Sequence, residues 1–342
     1  MQPWLRGTFV FFSSGSSMLV FIIRRLLQSV VVLLVMSLLV FVGVYAIGNP
    51  IDMLISPDAD QMDRMRTIAA FGLDKPLWQQ YLLFVKNALQ GDMGRSFAFS
   101  APALTLIIER MPATMELAVV AIIMSIVLGI PLGLWAGLRP QSIVGKTIMA
   151  VSILGFSLPT FWVGLMLIMV FAVQLGWLPS SGRGPTQLLL GIPVSFLSVE
   201  GLKHLVLPAF NLALFNLALV IRLTRAGAQE ALLQDYVKFA RAKGLSNTRI
   251  IGVHVLKNIL IPIVTVIALQ FGSIIAFAIV TESVFAWPGM GKLIIDSIRF
   301  LDRPVIVAYL MLIVVIFIVI NLVVDVVYSL LDPRVRLSDT QG

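Results

Sequence analysis

Charged residues that could do chemistry interrupt the apolar C-terminal half of this sequence in one long stretch, residues 222–258. It contains two acids, Glu230 and Asp235, against seven bases, for a net charge of +5: Arg222, Arg225, Lys238, Arg241, Lys243, Arg249 and Lys257. Apolar segments flank the stretch on both sides, and short basic loops between membrane spans stay in the cytoplasm. The pattern therefore predicts a cytoplasmic loop.

A helix, a glycine and a second helix are indicated inside this loop. Helical order breaks at Gly244, and before it Tyr236, Phe239 and Ala240 recur at helical spacing. After it, Ser246 is of a type that caps helix N-termini. Two short helices joined at a glycine predict a compact protrusion suited to docking in a groove of another protein. A loop that only fixes orientation and contacts anionic lipid is the alternative, and these residues alone leave both open.

Catalytic and metal-binding motifs are absent from the sequence. It has no G-x-x-x-x-G-K-[ST], no H-E-x-x-H and no G-x-S-x-G, so neither a phosphate-binding loop nor a hydrolase site is expected. There is no cysteine, and the two histidines, His204 and His254, are far apart in the predicted topology. We therefore predict no catalytic residue, no metal site and no cofactor bound by this chain.

Composition places most of the chain in lipid. Of 342 residues, 59% are hydrophobic and 12% are charged, and the mean hydropathy is +0.99. A soluble domain carries roughly 25% charged residues. The net charge of +8 does not indicate nucleic-acid binding, because the basic residues cluster at the ends of apolar runs, where they set orientation.

Apolar runs of about 20 residues mark membrane-spanning helices. The sequence has six of them, at about 22–47, 113–138, 146–175, 205–223, 261–284 and 305–331. The predicted fold class is an all-α integral membrane protein with six transmembrane helices, of which five form a core over 113–331. Both termini, 1–21 and 332–342, then lie in the cytoplasm. The basic loop, 224–260, falls on the same side, as its charge requires.

The long loop at 48–112 is predicted to lie outside, because its acids outnumber its bases by one. Within it, apolar residues recur at helical spacing from Leu77 to Leu89. This spacing predicts an amphipathic helix that lies on the bundle or in the membrane interface.

Several residues inside the spans carry packing or polar requirements. The glycines of the second span predict close approach of another helix: Gly129, Gly133 and Gly137. Pro159 can break the third span beside a pathway or only kink it, and a packing kink is the favoured interpretation. Two asparagines in the fourth span, Asn211 and Asn216, need partners on other helices or in a cavity.

The basic loop resembles a known sequence. The run Asp235 to Ser246 resembles the EAA loop of permease subunits in binding-protein-dependent ABC importers, most closely in the peptide and nickel branch. Ala240 and Gly244 match the general motif, whereas Lys238 stands at its Glu position. In that family the loop forms coupling helices that sit on the ATPase subunits. The resemblance therefore implies a coupling role for Asp235, Tyr236, Lys238, Ala240, Arg241, Ala242, Lys243, Gly244, Leu245 and Ser246.

A second segment, residues 281–292, resembles the E-x-V-F-x-W-P-G-M-G segment of the same family. The resemblance places it at the outer mouth of the pathway, where the substrate-binding protein docks. It implies that role for Glu282, Phe285, Trp287, Pro288, Gly289 and Gly291. The residue types alone allow a plainer interpretation, in which the aromatic rings form an interfacial belt and the glycines a tight turn.

The resemblance implies an ABC type I importer permease fold in the bacterial inner membrane. It also implies a second homologous permease subunit, two cytoplasmic ATPase subunits that carry ATP and Mg²⁺, and a substrate-binding protein outside. Family substrates are di- and oligopeptides, nickel chelates and glutathione, and the binding protein selects among them. The resemblance begins at Met18, so we hypothesise that residues 1–17 are not native. Mass spectrometry of peptides from the natively expressed protein would test this.

A secondary transporter or channel that works without ATP is the alternative function, and the missing motifs disfavour an intramembrane enzyme. Secondary transporters often show internal repeats and intramembrane charges. No clear repeat is present, and Asp325 is interpreted as the one strong intramembrane acid. It lies near the inner end of the last span, where pairing with Arg334 or Arg336 is favoured over a role in translocation.

Overall fold

The computed structural model describes residues 14–46, 60, 62, 65 and 74–331. In this part of the chain the helices are α1 (Ser14–Ala46), α2 (Leu77–Leu89), α3 (Ala103–Leu138), α4 (Ile143–Ser157), α5 (Thr160–Leu167), α6 (Val199–Leu233), α7 (Asp235–Ala242), α8 (Asn247–Arg249), α9 (Leu256–Val284), α10 (Met290–Arg299) and α11 (Arg303–Leu331). Two π-helical segments, Ile168–Gln174 and Ile250–Val255, follow α5 and α8. The strands β1 (Gln187–Leu189) and β2 (Ile192–Val194) pair as an antiparallel hairpin.

The helix bundle has two ends that carry different connections. At one end, Gly182 N, in the loop before β1, donates to Phe285 O, in the loop after α9, at 2.9 Å. At the same end, Ser96 Oγ, in the loop before α3, donates to Asp302, in the loop before α11. We call it the hairpin end. Both α3 and α6 begin there and run to the opposite end, where the basic residues 234–249 follow α6. We call that the protrusion end.

Five helical segments in the described part are long and apolar enough to cross a membrane: Ile23–Gly43, Ala103–Leu138, Val199–Leu233, Asn247–Val284 and Arg303–Val324. The pair Ile143–Ser157 and Thr160–Gln174 counts as a sixth span. It begins at the protrusion end beside α3 and leads to α6 at the hairpin end, so it makes one net crossing. The predicted all-α architecture with six spans is therefore confirmed.

The third span is broken, which corrects the interpretation of Pro159 as a packing kink. The helix ends at Ser157 and restarts at Thr160, and its two halves are bent by 111°. Leu158 is extended, with φ −80° and ψ 139°. Proline has no amide hydrogen to continue the helix, and it disfavours helical conformation in the preceding residue.

Close packing of α3 on α6 forms the centre of the bundle. A stripe of glycines spaced four residues apart on α3 faces α6: Gly129, Gly133 and Gly137. A Cβ on Gly133 would lie 2.6 Å from the Cβ of Thr224, and one on Gly137 would lie 2.9 Å from the Cβ of Ala228. The predicted close helix approach is confirmed, and the two asparagines of the fourth span, Asn211 and Asn216, are buried.

The long helices extend beyond the predicted spans. Helix α3 starts at Ala103 instead of 113, and α6 covers 199–233 instead of 205–223. A helix of 36 residues, the length of α3, is about 54 Å long, whereas the hydrocarbon core is about 30 Å thick. Hydropathy therefore located only the lipid-embedded part of each helix.

Helix α1 packs on the bundle through its C-terminal half. Ser37 and Val40 are buried there, and Ser37 Oγ hydrogen-bonds Tyr81 Oη at 2.8 Å. Tyr81 belongs to α2, which occupies the residues for which the spacing predicted a helix. The hypotheses about residues 1–17, Asp325 and the C-terminal arginines concern side chains outside the described residues.

Candidate functional site

The basic protrusion, residues 234–249, consists of α7, a glycine turn and α8. Gly244 has φ +75°. Its amide donates to Arg241 O at 2.9 Å, and the Leu245 amide donates to Ala240 O at 3.2 Å, as in a Schellman motif. Ser246 Oγ accepts from Arg249 N at 3.4 Å and begins the second helix. The local prediction of a break at Gly244 and a cap at Ser246 agrees with this geometry.

An apolar face anchors the protrusion to the bundle. Val237 and Ala240 are buried and belong to one cluster with Ile250, Val255 and Ile259. The sequence grouped Ala240 with Tyr236 and Phe239, whereas the buried face is centred between Val237 and Ala240. Because these contacts reach α9, a force on α7 is transmitted to a membrane-spanning helix.

The opposite face of the protrusion is free to contact another protein. Phe239 is 61% exposed and Tyr236 is 38% exposed. Lys243 Nζ lies 4.6 Å from the centroid of the Phe239 ring, and Lys238 pairs with Asp235 at 2.9 Å. Apart from half-buried Leu245, the remaining predicted coupling residues are exposed: Asp235, Lys238, Arg241, Ala242, Lys243, Gly244 and Ser246. Exposed aromatic rings and arginines are enriched at protein interfaces, and Tyr236, Phe239 and Arg241 supply both here.

A buried ion pair lies at the hairpin end. Glu116 on α3 accepts from Arg183 Nη2 at 2.6 Å and from Nε at 3.0 Å. The other Glu116 oxygen accepts from the backbone amides of Ser195 and Phe196, and Arg183 also donates to Pro193 O at 2.6 Å. One carboxylate on a transmembrane helix therefore holds the whole segment 183–196.

A second buried carboxylate holds the segment 281–292. Glu282 accepts from Thr114 Oγ1 at 2.6 Å and from Lys292 N at 2.9 Å. Trp287 Nε1 donates to Ala113 O at 2.9 Å. A Cβ on Gly289 would overlap the Glu282 carboxylate, and one on Gly291 would lie 2.6 Å from Ile279 Cα. The segment is thus folded tightly over the start of the lipid-embedded part of α3, and its glycines are required by close approach.

The burial of this segment corrects two sequence interpretations. Five of its six predicted docking residues, Glu282, Phe285, Trp287, Gly289 and Gly291, are buried, and Pro288 is half-buried. These buried side chains cannot touch a docked protein, and the two rings are too enclosed to form an interfacial belt. They pack inside the hairpin end and hold its loops in place instead.

Asp302 completes the hairpin-end network, which we define as the carboxylates Glu116, Glu282 and Asp302 with their hydrogen-bond partners. It accepts from Ser96 Oγ and from the amides of Phe97 and Ala98, each at 3.2 Å. Sequence reasoning singled out neither Glu116 nor Asp302, and Asp325 is therefore not the sole acid in the spans. An acid inside the second apolar run was the available signal for Glu116.

The chemistry of these groups is structural and mechanical. Among the side chains that the structure describes, no group of three or more His, Cys, Asp or Glu could hold a metal ion. The carboxylates of the hairpin-end network accept bonds from the segments that they organise. The arrangement suits a membrane bundle that another protein contacts at the protrusion end and whose loops are held in place by buried carboxylates at the hairpin end.

Two family profiles match the chain. The family described as the inner membrane component of binding-protein-dependent transport systems matches residues 129–337. The N-terminal region of the membrane component of such systems matches residues 18–118. Together they cover the hairpin-end network and the basic protrusion.

Curated relatives match over nearly their full length. The di/tripeptide transport system permease protein DppB of Pseudomonas aeruginosa (strain UCBPP-PA14) is 38% identical over 333 residues, with 93% of this chain and 99% of the relative covered. The oligopeptide transport system permease protein AppB of Bacillus subtilis (strain 168) is 38% identical over 321 residues, with 93% and 100% covered. The glutathione transport system permease protein GsiC of Escherichia coli O6:H1 is 36% identical over 320 residues, with 93% and 99% covered.

A solved structure shares the fold. The inward-facing MetNI methionine ABC transporter in its CY5 native crystal form matches with a TM-score of 0.52. The identity is 16%, and 66% of this chain and 96% of that chain are covered. The expected fold of an ABC type I importer permease is confirmed by this likeness.

Proposed function

Because the chain belongs to the family of inner membrane components of binding-protein-dependent transport systems, we propose that it is the permease subunit of an ABC importer for di- and oligopeptides. It is a multi-pass inner membrane protein of a non-enzymatic family. The observation that carries the substrate class is the identity of 38% to both a di/tripeptide and an oligopeptide permease. Glutathione, which a third relative transports, is itself a small peptide.

ATP hydrolysis belongs to two partner ATPase subunits, which hold ATP and Mg²⁺ and dock on the basic protrusion. Its exposed rings and cations support this role, and its apolar anchor gives the docked subunit a firm attachment. The protrusion end then lies in the cytoplasm together with both chain termini, as the charge of the loop requires. The hairpin end faces the substrate-binding protein, which selects the peptide.

A second permease subunit covers the broken span. Residues 156–162, around Pro159, are all exposed in the single chain, although the Phe156 ring stacks on Phe215. Non-helical backbone at membrane depth is tolerated only where protein covers it or where it lines a water-filled cavity. The exposed break therefore faces a homologous permease subunit and the pathway between the two subunits.

An ATP-independent transporter is the second candidate, and the buried acids Glu116 and Glu282 are the observation that favours it. Acids inside spans often mark ion pathways. Both carboxylates, however, accept several bonds from loops of the hairpin-end network. Their partners account for their burial without an ion pathway, so the ABC importer remains the proposed function.

Co-purification and transport assays separate the two candidates. The tagged chain, expressed from its native operon, is expected to retain an ATPase subunit, and the purified complex with its binding protein is expected to import a labelled dipeptide into vesicles only with ATP inside. The chain reconstituted alone is the control. Uptake by the chain alone, driven by an ion gradient, would establish the second candidate instead.

A further inference from the structure

A groove opens between α1 and α11 toward the protrusion end. The two helices touch near the hairpin end, where Val40 packs with Val307 and Met311. Most residues of α1 between 23 and 36 are exposed. The groove has a volume of about 1170 Å³, and its walls are apolar, with Val31, Val32 and Met36 on α1 opposite Ile313, Phe317 and Leu322 on α11.

The groove is polar and basic at one end. Arg24, Arg25 and Gln28 line it on α1, and Asn321 lines it on α11. Helix α11 starts at Arg303, next to Asp302 of the hairpin-end network, and Asn321 lies about 27 Å further along the helix axis. The arginines are therefore at the protrusion end, at the depth of the membrane surface.

We propose that this groove binds an anionic phospholipid of the cytoplasmic leaflet. Arginine binds phosphate oxygens through paired N–H groups, and basic pockets between spans on the cytoplasmic side bind anionic headgroups. The apolar walls run from the arginines toward the membrane centre, as the acyl chains of a lipid do. The two arginines give this end of the groove positive charge, which complements an anionic headgroup.

The charged rim distinguishes the groove from an ordinary lipid-facing surface. A zwitterionic lipid or a second protein copy could cover the apolar walls, but neither needs two arginines at the headgroup depth. An anionic lipid pairs its headgroup with the arginines and packs its acyl chains on the apolar walls. This ligand is independent of the transported substrate, so the inference stands apart from the peptide specificity proposed above.

Native mass spectrometry of the purified transporter complex tests the inference, with dioleoyl phosphatidylglycerol and dioleoyl phosphatidylcholine as probes. The wild type is expected to bind the anionic phosphatidylglycerol more tightly than phosphatidylcholine. R24Q/R25Q is expected to weaken phosphatidylglycerol binding roughly thirtyfold. The control R139Q/K146Q removes one cation from the turn after α3 and one from the first turn of α4, at the same end of the bundle, and is expected to bind like the wild type. V31W fills the groove and keeps both arginines, and it is expected to lose the lipid.

Four results would overturn the inference. Equal binding of the two lipids by the wild type would show that the headgroup charge plays no role. Equal losses of binding in R24Q/R25Q and R139Q/K146Q would show that general surface charge, and not the groove, attracts the lipid. Undiminished binding in V31W places the lipid outside the groove. Because the chain has no cysteine, V31C also tests a protein occupant, and its cross-linking to a neighbouring permease subunit in the membrane would assign the groove to that subunit.

Discussion

Asn211 on α6 donates from Nδ2 to Thr281 Oγ1 on α9, across 2.9 Å, in a fully buried site. Helix α6 enters the basic protrusion at Leu233, and α9 leaves its far side at Leu256. The two helices that flank the protrusion are thus joined again near the hairpin end. Thr281 precedes Glu282, so the bond lies beside the hairpin-end network.

Removing this bond is expected to uncouple ATP hydrolysis from transport. Asn211→Ala leaves Thr281 Oγ1 buried without that partner, at a cost of about 1–3 kcal/mol, and weakens the link between the two helices at this end. We expect peptide uptake to fall severalfold while the ATPase rate of the complex is kept, measured in the same vesicles. Thr265→Val is the control, because Thr265 Oγ1 bonds only Ile261 O within α9. Equal falls in uptake and ATPase rate would contradict the coupling role.

Gly244 is predicted to be required for its backbone conformation. Its φ is +75°, and a Cβ there would meet nothing within 4 Å, so no clash inside the chain forbids a side chain. A left-handed conformation costs an ordinary residue roughly 1–2 kcal/mol, and asparagine tolerates it better. Gly244→Leu is expected to abolish uptake with normal membrane levels by immunoblot, whereas Gly244→Asn keeps most of it. Normal uptake by the leucine variant would count against the docking role.

Local features of the protrusion could be predicted from sequence, because they depend on neighbouring residues. The break at Gly244 and the cap at Ser246 need only the residue types along a few positions. The degree of bending at Pro159 could not be predicted, since a proline only permits a break and tertiary packing sets the 111° angle.

The partners of Glu116 could not be predicted for a similar reason. Arg183 is 67 residues away in the chain, and only the folded hairpin brings it to α3. The sequence of the segment around Trp287 identifies it by resemblance, but its burial depends on contact with Ala113 on another helix. Residue type thus located the segment, and long-range contacts decided its exposure.

Phe239 is predicted to be the main docking side chain of the basic protrusion. It is 61% exposed and lies under the cation of Lys243. Truncating a central aromatic residue of an interface costs about 2 kcal/mol or more, so Phe239→Ala is expected to weaken ATPase binding by at least tenfold. Co-purification of the ATPase at several salt concentrations measures this. Phe300→Ala, which removes a ring that is 65% exposed at the hairpin end, is the control, and similar losses in both variants would contradict the assignment.

The Glu116–Arg183 pair is predicted to stabilise the hairpin end. The two side chains are 1% and 11% exposed, so Arg183→Ala leaves a buried carboxylate without its cation, at a cost of about 3–5 kcal/mol. The control is Lys203→Ala, whose pair with Glu200 is about half exposed and contributes about 0–1 kcal/mol. Thermal unfolding of the purified protein in detergent is expected to occur at a clearly lower temperature in Arg183→Ala and at an unchanged one in Lys203→Ala. Equal melting temperatures for both variants would show that the backbone amides of Ser195 and Phe196 hold the Glu116 carboxylate without help from the arginine.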